Sequence, residues 1–170
     1  TAISIATNSI ADADHTSLTA VTISSTQSGT FSLVGVSGLT FAAGDGTADN
    51  TMTFSGTITN INTAIATLTW TSAANDYTNA VLTILSNDGD TTDSDTVAIT
   101  VNAVNDAPVN TVSGAVSGNE DTAISIATNS IADVDDTSLT AVTISSTQSG
   151  TFSLVGVVGL TFAAGDGTAD

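Results

Sequence analysis

Residues 17–33 read SLTAVTISSTQSGTFSL. Val21 and Ile23 flank Thr22, and Phe31 and Leu33 flank Ser32. Period-two spacing puts each apolar pair on one face of an extended strand. Between the pairs stands Gln27-Ser28-Gly29, a run of turn formers. The stretch therefore reads as strand, turn, strand. The same pattern extends outward, to Ile3-x-Ile5 on one side and Val97-x-Ile99-x-Val101 on the other. Gly44-Asp45-Gly46 and Asn87-Asp88-Gly89-Asp90 supply further turns. Seven or eight short strands at this spacing predict an all-β chain folded as a β-sandwich. One stretch departs from the pattern. In TNINTAIATL (59–68), Ile61, Ala64, Ile65 and Leu68 recur at helical spacing. One or two helical turns are expected there, crossing between sheets and capped by Asn60 or Thr59.

Composition agrees with a β-rich core and excludes several partners. The 170 residues include 17 Asp plus Glu, one His, and no Lys or Arg, for a formal net charge of −17. A surface without Lys or Arg cannot neutralise phosphates, so nucleic acid is excluded as a partner class. Anionic membranes and polyanionic sugars are disfavoured for the same reason. The chain is not the disordered kind of acidic protein. Only 10 % of it is charged, 41 % is hydrophobic, and the mean hydropathy is +0.32. Thr, Val and Ile are abundant, and β-branched residues favour strands over helices. Zero Cys excludes a disulfide scaffold and a thiolate metal site. No apolar run is long enough to cross a membrane as a helix, so no membrane insertion is expected in this segment. The chain starts at Thr1, without a signal peptide, and reads as an interior piece of a longer secreted polypeptide. It holds no Asn-x-Ser/Thr sequon.

The chain repeats itself. Residues 122–170 match residues 1–49 at an offset of 121, with three differences: Ala13/Val134, His15/Asp136 and Ser37/Val158. A period of this length is a whole domain, not a solenoid turn. Near-identity implies a recent tandem duplication and further copies in the parent chain. The segment VNAVNDAPVN (101–110) holds the only proline, Pro108, and marks the linker. The first repeat is assigned to 1–106, lacking its first strand, and the second to 107–170, the N-terminal part of an incomplete unit.

At VNAVNDAPVN the sequence resembles the bacterial cadherin-like repeats, the immunoglobulin-like tandem repeats of giant extracellular adhesins. Four further stretches agree. GNEDTAISI (118–126) is similar to the acidic motif that opens a cadherin domain, and IADVDD (131–136) to its Asp-x-Asp motif. Ser86-Asn87-Asp88-Gly89 falls where cadherins have a hairpin Asp-Gly. TFAAGDGTADNTMTFSGTITNINTAIATLTW (40–70) is similar to a stretch common in the bacterial repeats. The likeness covers essentially the whole chain, in order. It implies an immunoglobulin-like, cadherin-like β-sandwich in tandem repeats of 121 residues. There are departures. TSAA (71–74) carries no acid where an Asp-Arg-Glu motif would fall. The linker is one residue shorter than the animal pattern, and Ala103 stands where an Asp is usual. Fewer calcium ligands are therefore expected than in an animal cadherin linker.

Calcium takes six to eight hard oxygen ligands. Asn105 and Asp106 lie on the linker, and Glu120 and Asp121 open the second repeat. The resemblance places Asp133 and Asp135 at the same junction. Five carboxylates gathered without Lys or Arg repel one another, and a divalent cation relieves this. The alternative is exposed acids that only keep the chain soluble. Asp12 and Asp14 are the first-repeat equivalents of Asp133 and Asp135, with partners expected in a preceding unit. His15, replaced by Asp136 in the other copy, reads as a tolerated substitution. Asp88, Asp90, Asp93 and Asp95 read as a solvated hairpin, with a second calcium as the alternative. DADHTS and DVDDTS are not EF-hand loops, lacking the Gly at position six and the Glu at position twelve. Gly-Asp-Gly at 44–46 and 165–167 reads as a polar hairpin turn, lacking the nonapeptide period of a calcium β-roll. Trp70 and Tyr77 are expected in core and corner packing.

No enzyme is expected. The one His is missing from its twin, and neither Cys nor Lys is present to act as nucleophile or base. The expected function is structural: an extracellular, cell-surface extender or filament segment, rigidified by calcium and partnered by adjacent repeats of its own polypeptide. One alternative is a self-associating fibre in which identical chains complete one another by strand exchange. Another is a carbohydrate- or ice-binding module using Thr-rich faces. Irregular strand lengths and few aromatics speak against it.

Overall fold

A computed structural model of the chain describes residues 1–5, 8–165 and 167–168. The described residues divide into two compact units, Thr1–Asp135 and Asp136–Asp170. Within 107–135, two short strands pair with each other. They are β9 (Val109–Thr111) and β10 (Ser130–Ala132).

Eight strands and one helix make up the body of the first unit: β1 (Ile3–Ser4), β2 (Ser17–Ser25), β3 (Gly29–Ser32), β4 (Leu39–Ala43), β5 (Met52–Thr57), α1 (Ile58–Ile65), β6 (Thr69–Ser72), β7 (Ala80–Asn87) and β8 (Thr92–Ile99). They form two antiparallel sheets, ordered β4-β5-β2-β7-β8 and β1-β6-β3. Among the described residues the regular structure is therefore antiparallel β-sheet with one short helix, consistent with an all-β chain. One apolar cluster takes Val21, Ile23, Phe54 and Leu82 from the larger sheet and Phe31 and Trp70 from the smaller. Area removed from water stabilises such a cluster by about 25 cal/mol per Å².

The alternation in β2 holds at Val21 and Ile23, both 0 % exposed. Leu18 is also buried, although it lies three positions before Val21, an odd spacing. A bulge between Leu18 and Val21 explains this, because one extra residue returns Leu18 to the core face. Close approach decides one glycine. A Cβ on Gly29 would stand 2.5 Å from Trp70 Cε2, so only hydrogen fits beside the indole. Trp70 is fully buried, as its sequence context suggests, and its Nε1 has no protein partner. Tyr77 is not in core or corner packing. It is 57 % exposed.

The helix forms where the spacing places it, with Ile61, Ala64 and Ile65 buried. Its cap is neither Asn60 nor Thr59. Thr57, in extended geometry, accepts the Asn60 N–H at 3.3 Å. Chain direction explains the earlier start. β5 runs to Thr57 in extended geometry, so the first residue free to turn is Ile58. The edge strand β8 carries exposed Asp93 and Asp95, and such charges protect a sheet edge from pairing with other chains.

The second unit, Asp136–Asp170, contains no strand among its described residues. Val142 and Ile144 are 56 % and 52 % exposed. Their counterparts Val21 and Ile23 are the buried centre of β2.

Candidate metal centres

Two groups of acids come together. The first lies where the loop before β2 meets the β7–β8 hairpin. Asp12 Oδ1 accepts the N–H groups of Asp14 and His15 at 2.8 and 2.7 Å, a local turn that fixes the carboxylate. Asp88 Oδ1 accepts the N–H groups of Asp90 and Thr91, each at 2.7 Å, and Oδ2 accepts the Thr91 hydroxyl at 3.0 Å. Donation from the Thr91 and Asp90 N–H groups favours the charged form and holds the Asp88 pKa down at about 2. His15 joins the two segments. Its Nδ1 lies 3.6 Å from Asp12 Oδ1 and 4.0 Å from Asp88 Oδ2, and its Nε2 lies 4.0 Å from Asp90 Oδ2. One ligand atom each from Asp12, His15 and Asp88 falls within 4.8 Å of the others. A cavity of about 460 Å³ adjoins the group, lined in part by Asp12, Asp88, Asp93 and Asp95.

Sequence reasoning separated these residues. The resemblance places the partners of Asp12 in a preceding unit, whereas Asp12 stands beside His15 and the hairpin of its own unit. The sequence reads His15 as a tolerated substitution, yet it lies between Asp12, Asp88 and Asp90. The available signal was the exchange of His15 for Asp136 between copies. Both residue types bind metals, but they favour different ones. Imidazole suits zinc, copper and nickel, while carboxylate suits calcium.

The second group lies along residues 103–135 of the first unit. The Asp106 N–H donates to Asp135 Oδ2, and the Asp135 N–H donates to Asp133 Oδ1 at 2.9 Å. Asn105 turns its amide to the Asp106 carbonyl at 2.6 Å, leaving Oδ1 as a free acceptor. Asn105 and Asp135 line a pocket of about 370 Å³ with Tyr77 and Ala103. The linker and the Asp-x-Asp motif therefore meet. Glu120 and Asp121 are exposed, and neither side chain makes a hydrogen bond or ion pair among the described residues. The Asp14 carboxylate is likewise exposed. Asp166 of the second Gly-Asp-Gly lies outside the described residues. In the first Gly-Asp-Gly, Asp49 Oδ2 accepts the N–H groups of Asp45 and Gly46 at 2.9 and 2.7 Å. That carboxylate closes a turn.

Compared with protein-family models, curated proteins and solved structures, the chain matches none.

Proposed function

We propose that the chain is a tandem structural repeat of the bacterial cadherin-like class, an immunoglobulin-like β-sandwich that extends an extracellular adhesin or filament and is stiffened by calcium. The observation that carries this reading is the hydrogen bond from the Asp106 N–H on the linker to the Asp135 carboxylate of the next repeat's Asp-x-Asp motif. It brings Asn105, Asp106, Asp133 and Asp135 together as hard oxygen donors in a chain with no Lys or Arg to pair them. These four residues would hold the ion, with Glu120 and Asp121 drawn in from exposed positions. The ion would supply a positive centre tying ligands from both sides of the linker.

Extracellular modules bind calcium with dissociation constants of roughly 10⁻⁴ to 10⁻³ M. At ten to a hundred times that concentration the bound form gains about 1.4 to 2.7 kcal/mol per site. That is small against a domain and large against the bending of one linker. The test is small-angle scattering and thermal melting of a chain carrying two complete repeats, with calcium and then with chelator. Calcium increases the maximum dimension and the melting temperature. Asp133→Asn with Asp135→Asn removes most of both effects. Scattering and melting that ignore chelation would refute the reading and leave the acids as solubilising surface.

A further inference from the structure

The sequence holds one imidazole and no Cys, Lys or Arg. That imidazole stands where two segments meet. On one edge of the ring, His15 Nδ1 faces Asp12 Oδ1 of its own loop at 3.6 Å and Asp88 Oδ2 of the β7–β8 hairpin at 4.0 Å. On the other edge, Nε2 faces Asp90 Oδ2 at 4.0 Å. A direct N–H···O bond spans about 2.7–3.2 Å, so none of the three spacings is one.

We propose that Asp12, His15 and Asp88 form a binding site for a divalent transition ion of the zinc class, separate from the oxygen donors on the linker. Two observations carry this. The first is spacing. Zinc takes imidazole nitrogen and carboxylate oxygen at about 2.0–2.2 Å, so two donors on one ion stand about 3.4 Å apart at the tetrahedral angle and at most about 4.2 Å apart. Both Nδ1 spacings fall inside that limit. One ligand atom from each of the three residues lies within 4.8 Å of the others, and a small inward movement of the half-exposed ring completes the set. The second is the outer partner. A metal-bound imidazole places its other N–H on a carboxylate, which fixes the ring and its tautomer. Asp90 stands on that side of His15, with a side chain 83 % exposed and able to close the distance.

The imidazole selects the ion. Calcium requires six to eight oxygens. Two carboxylates and a ring nitrogen suit zinc, nickel or copper instead. The other copy has Asp136 at this position, so one exchange changes the donor chemistry between the copies. The cavity beside Asp12 and Asp88 gives the ion a route from solvent, and solvent completes its coordination. A bound ion would tie the loop before β2 to the β7–β8 hairpin. This inference does not depend on the calcium reading of the linker.

The test is a zinc titration of the full chain in excess calcium, followed by nitrogen NMR of the imidazole. The signal is unambiguous because the chain has one His. Zinc should move the Nδ1 resonance along a single-site curve and leave the proton on Nε2. Nickel should compete for the site, and further calcium should not displace the zinc. By calorimetry, His15→Ala should weaken zinc binding about tenfold or more, and Asp90→Asn roughly tenfold, the range for an outer partner. Asp88→Asn can still accept the Asp90 and Thr91 N–H groups and should also weaken binding. Zinc should raise the melting temperature of the native chain and not that of His15→Ala. Urea unfolding followed by Trp70 fluorescence, without metal, checks that the variants fold; the native-chain titration decides the matter even where one does not. An imidazole that ignores zinc would overturn the proposal. So would zinc on Nε2, displacement by calcium, or equal zinc affinity in a folded His15→Ala variant.

Discussion

Leu82→Ala tests the packing of the apolar core against β7. Leu82 is the third residue of β7, fully buried in the apolar cluster and paired with Ser25 on one side and Val97 on the other. Truncation removes most of an aliphatic side chain and leaves a cavity that two hydrogen-bonded neighbours prevent from collapsing. Leu→Ala changes of this kind cost about 2–5 kcal/mol. Against a domain stability of about 5–15 kcal/mol, that is a large fraction. With a mid-range urea m-value of about 2 kcal/mol/M, the midpoint falls by roughly 1–2.5 M. The assay is Trp fluorescence in urea, since Trp70 is the only Trp and is fully buried. The control is Val81→Thr, the adjacent residue on the opposite face, 38 % exposed. It keeps the β-branch and should shift stability by no more than about 0.5 kcal/mol. If Leu82→Ala costs less than about 1 kcal/mol, or no more than Val81→Thr, the assignment of faces on β7 is wrong.

Three further outcomes are expected. Thr57→Ala removes the cap of α1 and costs about 1 kcal/mol, while Thr59→Ala, two positions further on, leaves the cap intact; urea midpoints separate the two. The folded-state pKa of Asp88 lies below its unfolded value, so its contribution to stability is present above pH 4 and is lost as the pH falls towards about 2. A carboxyl-carbon NMR titration should show the depressed midpoint, with Thr91→Gly as a partial loss. Trypsin should leave the chain whole even after heating, because it holds no Lys or Arg, while a broad-specificity protease cuts the heated form; gel electrophoresis reads both.

The two copies separate what the sequence by itself determines from what tertiary structure decides. Local features appear in both. The Leu33 N–H bonds to the Gly46 carbonyl at 2.9 Å, and the Leu154 N–H to that of Gly167 at 2.8 Å. Leu39 bonds to Val36 at 3.1 Å, and Leu160 to Val157 at 3.2 Å. Gly46 and Gly167 have φ of 88° and 85°, and a Cβ on either would crowd the same Val and Phe, at Val36 and Phe41 or at Val157 and Phe162. These turns close within about fifteen residues, so short-range sterics and turn chemistry suffice. The helix was legible for the same reason, its apolar spacing being local. The strands were legible only as a potential. SLTAVTISS is β2 at 17–25 and is not a strand at 138–146, because a strand's hydrogen bonds go to partners distant in sequence and only the first copy is seated on them. The exposure of Tyr77 and the meeting of Asp12 with Asp88 were likewise invisible to spacing. Each depends on which loops the two sheets bring to the same end, and that is fixed by long-range pairing.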